Sequence, residues 1–335
     1  MGIWQSYRLR LQRKRWRIRA LRKRWQLQSV ANRVGDISAN DILVFSTFRN
    51  ENARLPHFLD YYRKMGVSHF LMVDNGSDDG GREYLEGQPD VSLWTTDASY
   101  KRARFGVDWL NGLQRTYGEG HWCLTVDPDE LLIYPFCDTR PLRALTDWLD
   151  ASSIKSFGAM LLDMYPKGPV GQVPYQRGSN PLEIACWFDA GNYMISRNKE
   201  FGNLWIQGGP RARAFFGDKP ARAPALNKIP LVKWEAGYTY VSSTHTLLPR
   251  GLNLVYDEWG GEKASGLLLH TKFLDGFNAK AREELERGQH YAGSHEYKAY
   301  IAQETDPDLW CRWSEKYINW RQLEILGLMS KGNWA

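Results

Sequence analysis

Three carboxylates, Asp127, Asp129 and Glu130, fall within four residues between two apolar runs, 122–126 and 131–133. Acids this crowded repel one another unless a cation stands among them. Hard divalent cations such as Mg²⁺ or Mn²⁺ take oxygen ligands of this kind and commonly share them with a substrate phosphate. Strand periodicity puts Asp127 and Asp129 on one side of the chain, with Pro128 stiffening the bend between them. The competing reading is an acidic β-turn in solvent, for which Asp-Pro-Asp is good turn chemistry. A second acidic stretch, Asp74-Asn75-Gly76-Ser77-Asp78-Asp79-Gly80-Gly81, follows the apolar run 69–73. At the carboxyl end of a strand such a loop can wrap a nucleotide, although Asn-Gly and Asp-Gly equally suit a surface turn.

The elements that must position these acids follow from periodicity. Residues 42–48 read as a strand, and Asn50-Glu51-Asn52 ends it. Leu55, Phe58, Leu59, Tyr62 and Met65 have helical spacing, with Gly66 as the stop. Residues 69–73 form the next strand, which implies a parallel βαβ unit. Residues 91–94 are a third strand. A helix over 103–117 follows, with Phe105, Trp109, Leu110 and Leu113 inward. Lys101, Arg102 and Arg104 near its start are placed to meet phosphates. The predicted order is strand, helix, strand, acidic loop, strand, helix, strand, acid cluster.

In that order, Phe45-Ser46-Thr47-Phe48-Arg49-Asn50-Glu51, Val73-Asp74-Asn75-Gly76-Ser77-Asp78-Asp79-Gly80 and Asp127-Pro128-Asp129-Glu130 resemble family 2 glycosyltransferases of the GT-A fold. The likeness is to the bacterial branch with an Asp-x-Asp-Glu motif and covers residues 41–165. Further on, Gly208-Gly209-Pro210-Arg211-Ala212-Arg213, Lys228-Ile229-Pro230-Leu231-Val232, Ser243-Thr244-His245 and Leu268-Leu269-His270-Thr271-Lys272 resemble recurring blocks of that branch. The resemblance implies an α/β fold: a Rossmann-type mixed central sheet flanked by helices. It also implies a nucleotide-sugar donor, a UDP-sugar first among them, and inverting transfer to a glycan, lipid-linked or surface-polymer acceptor. By the same resemblance Asp129 and His270 would bind the metal. Asp127 would contact it or the ribose, and Glu130 would support the metal or face the acceptor. Asp74 and the strand end at Thr47 and Phe48 would hold the nucleotide, with Arg49, Glu51, Asn75, Asp78 and Arg104 beside them. Arg211, Arg213 and Lys272 are candidates for stabilising the leaving diphosphate. The general base is sought first at Asp163, then at Glu183 and His245. The bland reading of His270 is a core histidine after Leu267-Leu268-Leu269.

Other readings stay open. A nucleotidyltransferase would use the same acids at an α-phosphate, but it needs a glycine- and base-rich loop where Ser46-Thr47-Phe48-Arg49-Asn50 stands. A glycoside hydrolase with paired carboxylates would not need the loop at 74–80. A non-catalytic protein would use its basic end on a membrane or nucleic acid.

That basic end is distinct. Residues 1–35 hold eleven Arg or Lys and no acid, so a chain of net charge +6 has a body of about −5. Trp4, Tyr7, Leu11, Ile18, Leu21 and Trp25 recur as one helical stripe among them, which suits an anionic membrane surface. Nucleic acid is the weaker partner. A disordered or subunit-pairing tail is the bland alternative. The 15 Trp and 17 Tyr suit sugar-facing surfaces or a dense core alike. The four cysteines lack metal-ligand spacing and read as free thiols of a reducing compartment. With no signal peptide or spanning run, the expectation is a cytoplasmic chain, peripheral at the inner face of the membrane. The expected units are a basic helix and linker over 1–40, with the polar linker at 29–40, a nucleotide-sugar half over 41–165, an acceptor-side half over 166–273 and C-terminal helices over 274–335. Helical periodicity there spans 274–303 and 307–326, the latter with Leu309, Trp310, Trp313, Tyr317 and Trp320 as a packing stripe. Oligomeric state is not legible.

Overall fold

The computed structural model describes residues 2–257, 263–287, 300 and 306–334. In chain order the strands are β1 (Gln28–Ala31), β2 (Ile42–Phe48), β3 (His69–Asp74), β4 (Val91–Thr95), β5 (Trp122–Thr125), β6 (Glu130–Ile133), β7 (Ser156–Asp163), β8 (Trp187–Asp189), β9 (Tyr193–Arg197), β10 (Leu204–Gly208), β11 (Asn227–Lys233), β12 (Thr239–Ser242), β13 (Thr246–Leu248), β14 (Gly266–His270) and β15 (Ser314–Lys316). The helices used below are α1 (Ile3–Lys23), α2 (Leu55–Met65), α3 (Gly81–Glu86), α4 (Val107–Tyr117), α5 (Leu142–Ala151), α6 (Gly209–Phe215) and α7 (Phe277–Arg287).

A nine-stranded sheet runs β1-β4-β3-β2-β5-β11-β7-β14-β6. Strands β4, β3, β2 and β5 are mutually parallel, and β14 is parallel to β7. β11 runs against both β5 and β7, and β6 runs against β14. This is a mixed, Rossmann-like α/β arrangement, consistent with the expected GT-A-like sheet flanked by helices. Its central strands are continuous apolar runs because both faces are covered. Ile42 and Val44 of β2 face the core shared with α2, α3 and α5, while Leu43 and Phe45 face the core under α4. The alternation is that of a strand, with opposite sides serving opposite layers.

The topology gathers chemistry at one sheet edge. The carboxyl ends of β2, β5, β7 and β14 bring Thr47, Asp127, Asp163 and His270 there. The antiparallel β6 and β11 deliver their amino ends, Glu130 and Lys228, to the same edge.

Three expectations change. The polar stretch 29–40 is no linker throughout, because β1 pairs antiparallel with β4 and Arg33 donates to the Val91 and Glu86 carbonyls. An edge strand solvated on one side is polar enough to read as a loop. The helix expected over 103–117 begins only at Val107, after a tight turn. In place of a helix over 307–326 there is β15, paired with β8, and a short helix Trp320–Ile325. The aromatic spacing there reflects single packing contacts, such as Trp320 on Phe136. Of the helices expected over 274–303, α7 is found, and residues 288–299 and 301–303 lie outside the described residues. Among the described residues no helix is long and apolar enough to cross a membrane.

Candidate functional site

At this edge lies a cavity of about 430 Å³, lined by Thr47, Phe48, Arg49, Glu51, Arg54, Asn75, Tyr100, Asp127, Asp129, His270, Lys272 and by α7 residues including Lys280 and Glu283. Its floor is tight. Gly106, at φ +78°, carries the loop before α4 over β2, and a Cβ there would stand 2.9 Å from Thr47 Oγ1. Its roof is α7. Lys280 pairs with Glu51, and Glu283 Oε1 accepts from Arg49 Nε at 3.1 Å.

The acids form a β-turn, with Glu130 N donating to the Asp127 carbonyl at 3.0 Å. The turn expected in solvent is therefore real, but its side chains are not solvated alike. Asp127 is 52% exposed, Asp129 19% and Glu130 2%. Thr271 ties the turn to the end of β14 by donating its N–H and hydroxyl to the Asp129 carbonyl.

Two charge relays meet at the turn. In the first, His270 Nε2 lies 3.3 Å from Asp129 Oδ2, and His270 Nδ1 lies 2.7 Å from Asp163 Oδ1. Arg211 Nε donates to the other Asp163 oxygen at 2.7 Å. Gly208, where a Cβ would meet the Asn192 carbonyl at 2.1 Å, makes the sharp entry into α6 that carries Arg211. Burial disfavours charge on each member, but the neighbours outweigh it. Asp129 and Asp163 are held below the usual carboxylate range, by His270 and by Arg211 respectively, and His270 is raised to about 9 between the two acids. In the second relay the buried Lys228 ammonium pairs with Glu130 and lies 3.4 Å from Asp127 Oδ2. Despite burial, these acids keep Lys228 protonated, its pKa above that of a free lysine. Burial pushes Glu130 up to about 7 even beside that ammonium.

Ligand atoms of Asp129, Glu130 and His270 lie within 4.8 Å of one another. The set differs from the expected one, in which Asp127 stood where Glu130 does. Glu130 is already engaged by Lys228, so the donors left to an ion are the Asp129 carboxylate and the His270 imidazole, a pair that a divalent ion such as Mn²⁺ can take. The orientation of His270, with Nδ1 fixed by a carboxylate and Nε2 turned to Asp129, is that of a metal-binding histidine with its supporting acid.

Thr47, Phe48, Arg49, Glu51, Asn75, Asp127, Asp129, His270 and Lys272 are thus brought to one cavity. Others are not. Asp74 is fully buried, and its oxygens accept from the Ser77 N–H and hydroxyl and from Arg82, so it shapes the loop instead of meeting a nucleotide. The same loop is held to Asn50 and Asn52 by the Asp78 N–H and the Asp79 carboxylate, and Asp78 is exposed away from the cavity lining. Arg104 pairs with Asp108 and donates to the Val241 carbonyl, underpinning α4. Arg213 pairs with Asp189. Asp163 has both oxygens engaged and is 1% exposed, which removes it as the general base. Glu130 is pinned to Lys228, and His245 is tied through Nδ1 to the Asn227 carbonyl. Burial and Lys228 lower the His245 pKa to about 4, so the ring is neutral near pH 7.

Neither a family model nor a curated protein matches the chain. Among solved structures the chain is similar to 4-diphosphocytidyl-2C-methyl-D-erythritol synthase, at 17% identity over 43% of this chain and 70% of that one, with a TM-score of 0.24. That likeness is too slight to carry an argument about activity.

Sequence reasoning gave no role to Lys228, Arg54, Tyr100 or Lys280. Lys228 did carry a signal, since a lysine inside the apolar strand 227–232 is a buried charge that must find a partner. Arg54, between Glu51 and Asp129, and Lys280, on α7, are visible only once the fold brings them in.

Proposed function

We propose that the chain is a metal-dependent glycosyltransferase that moves a sugar from a nucleoside-diphosphate donor, UDP-linked first among them, to a glycan, lipid-linked or surface-polymer acceptor. The observation that carries this reading is the His270–Asp129 pair at the wall of the cavity, with Asp163 and Arg211 behind it. Nucleotide chemistry in open α/β sheets sits at such strand ends.

Asp129 and His270 Nε2 are the residues that would hold Mn²⁺ or Mg²⁺, with Glu130 held back by Lys228. A divalent cation bound there neutralises charge on the leaving diphosphate. Arg54, Lys272 and Lys280 line the same cavity and supply further positive charge to phosphate oxygens. Phe48, Arg49 and Asn75 form the nucleotide side. Asp127, the most exposed acid of the turn, turns one oxygen to Lys228 and leaves the other to take the acceptor hydroxyl's proton, and the anomeric centre inverts as that hydroxyl attacks.

The test is calorimetry and thermal shift with UDP, GDP, CDP and dTDP, with and without Mn²⁺, on wild type and Asp129→Asn. Metal-linked binding of one nucleotide, lost in the variant, is the expected result. No metal-linked binding to any of them would sink the reading. Product analysis then separates sugar transfer, which releases a nucleoside diphosphate, from nucleotidyl transfer, which releases pyrophosphate.

A further inference from the structure

Helix α1 has two apolar faces, and only one is used by the fold. On the docked face Leu9 and Ala20 are buried, and Trp16 lies under the Arg104 guanidinium at 4.1 Å. Arg19 reaches Asp108 at 2.6 Å, and Arg8 reaches Glu200 at 2.9 Å. These contacts fix the rotation of the helix. The opposite face then presents Trp4, Tyr7, Leu11 and Ile18 outward, continued by Trp25 just past the helix end, with Trp4 85% and Trp25 80% exposed. Residues 4, 11, 18 and 25 recur every seven, so they form one line along the helix. Arg10, Lys14, Arg15 and Arg22 are exposed along it. The helix holds nine Arg or Lys and no acid.

Single exposed apolar residues need no explanation, but a ridge of them flanked by cations on an immobilised helix does. A second copy of the chain would set two acid-free cationic helices against each other. Nucleic acid would use the cations but not a ridge of Trp, Leu and Ile. An anionic bilayer uses both, taking the apolar edge into the acyl boundary while the cations meet headgroups. We infer that α1 is a preformed, rigidly mounted docking surface for an anionic lipid bilayer, lying in its plane with Trp4, Leu11, Ile18 and Trp25 inserted. The surface stands independently of the transfer reaction. Only its consequence, delivery of the cavity to a membrane-held acceptor, rests on the transferase reading.

The test is flotation of the full chain with vesicles of phosphatidylcholine alone and of phosphatidylcholine with phosphatidylglycerol, without nucleotide or metal. Wild type should float only with the anionic vesicles and detach as salt rises. Trp4→Ser/Leu11→Ser/Ile18→Ser should weaken binding at least about tenfold. Lys14→Glu/Arg22→Glu should weaken it by roughly 25-fold or more. Both sets change outward side chains, so an unchanged melting temperature confirms that the chain still folds. Trp313→Ser, the same kind of change at a 72% exposed tryptophan elsewhere, should have no effect. Equal binding to neutral vesicles, or retention of binding by the triple variant, would overturn the inference. So would a chain that ignores vesicles but binds duplex RNA or dimerises through the stripe. None of these outcomes bears on nucleotide binding, so the two readings fail separately.

Discussion

Asp163 and His270 are register partners on adjoining parallel strands, and their side chains meet at 2.7 Å where β7 and β14 end. The sheet itself therefore sets the orientation of the imidazole. Asp163→Asn keeps the shape but removes the charge. Metal affinity should fall about 10–100-fold, the usual cost of losing a supporting carboxylate. Stability should fall by about 3–5 kcal/mol, because the buried Arg211 loses the carboxylate charge of its ion pair with Asp163. Mn²⁺ calorimetry and chemical denaturation measure the two separately. Unchanged metal affinity would show that Asp163 serves Arg211 alone.

The second prediction concerns pH. Without metal, His270 titrates at about 9 in the fold, above its value of roughly 6.5 in an unfolded chain. The fold holds this proton more tightly than the unfolded chain does. The resulting stability is full below about pH 6.5 and disappears as pH rises through about 9. Melting temperature measured across that window should fall for wild type relative to His270→Gln. Because a bound cation must displace the proton, Mn²⁺ affinity should rise over the same window. Calorimetry in buffers of unlike ionisation enthalpy should show proton release on binding.

Lys228→Met leaves Glu130 buried without its ion-pair partner. A loss of about 3–5 kcal/mol is expected, much of it restored in Lys228→Met/Glu130→Gln, which removes both charges. Urea denaturation of wild type, the single and the double variant checks this. Equal losses in single and double variants would mean that the lysine acts through packing and not charge.

On the proposed transferase reading, Glu283 on α7 competes with a bound nucleotide for the Arg49 guanidinium. Glu283→Gln should tighten nucleotide binding by about two- to fivefold, the worth of a partly exposed ion pair. Calorimetry with UDP decides it. Weaker binding would mean that Glu283 contacts the nucleotide itself.

The parallel half of the fold was legible because β2, α2, β3, α4 and β5 each carry an unbroken apolar period, and the acid turn stood out as like charges between buried runs. His270 was singled out through the resemblance, since its apolar strand alone read as ending in a core histidine. What failed was the assignment of acids by motif alone. Asp74 and Asp127 look alike in sequence, yet the first spends both oxygens on Ser77 and Arg82 while the second is half exposed. Partner choice of that kind depends on contacts across long stretches of chain, as with Lys228 and Glu130, 98 residues apart. The short strands β1 and β15 were missed because an edge position tolerates polar sequence.

The position of β14 has a consequence for how the molecule is made. It lies between β7 and β6, and among the described residues β6 pairs with the sheet through β14 alone. A nascent chain can build the β4-β3-β2-β5 layer soon after residue 125 emerges, yet β6 must wait, unpaired, for a strand made more than a hundred residues later. Pairing over such separations is slow, and an apolar strand left open invites association with other chains. A chain cut before Gly266 would keep Asp127, Asp129 and Glu130 but lose both the strand that pairs with β6 and the Thr271 contacts that hold the turn. Chaperone dependence and aggregation of such truncations, more than their solubility once complete, are where the cost of this topology should show.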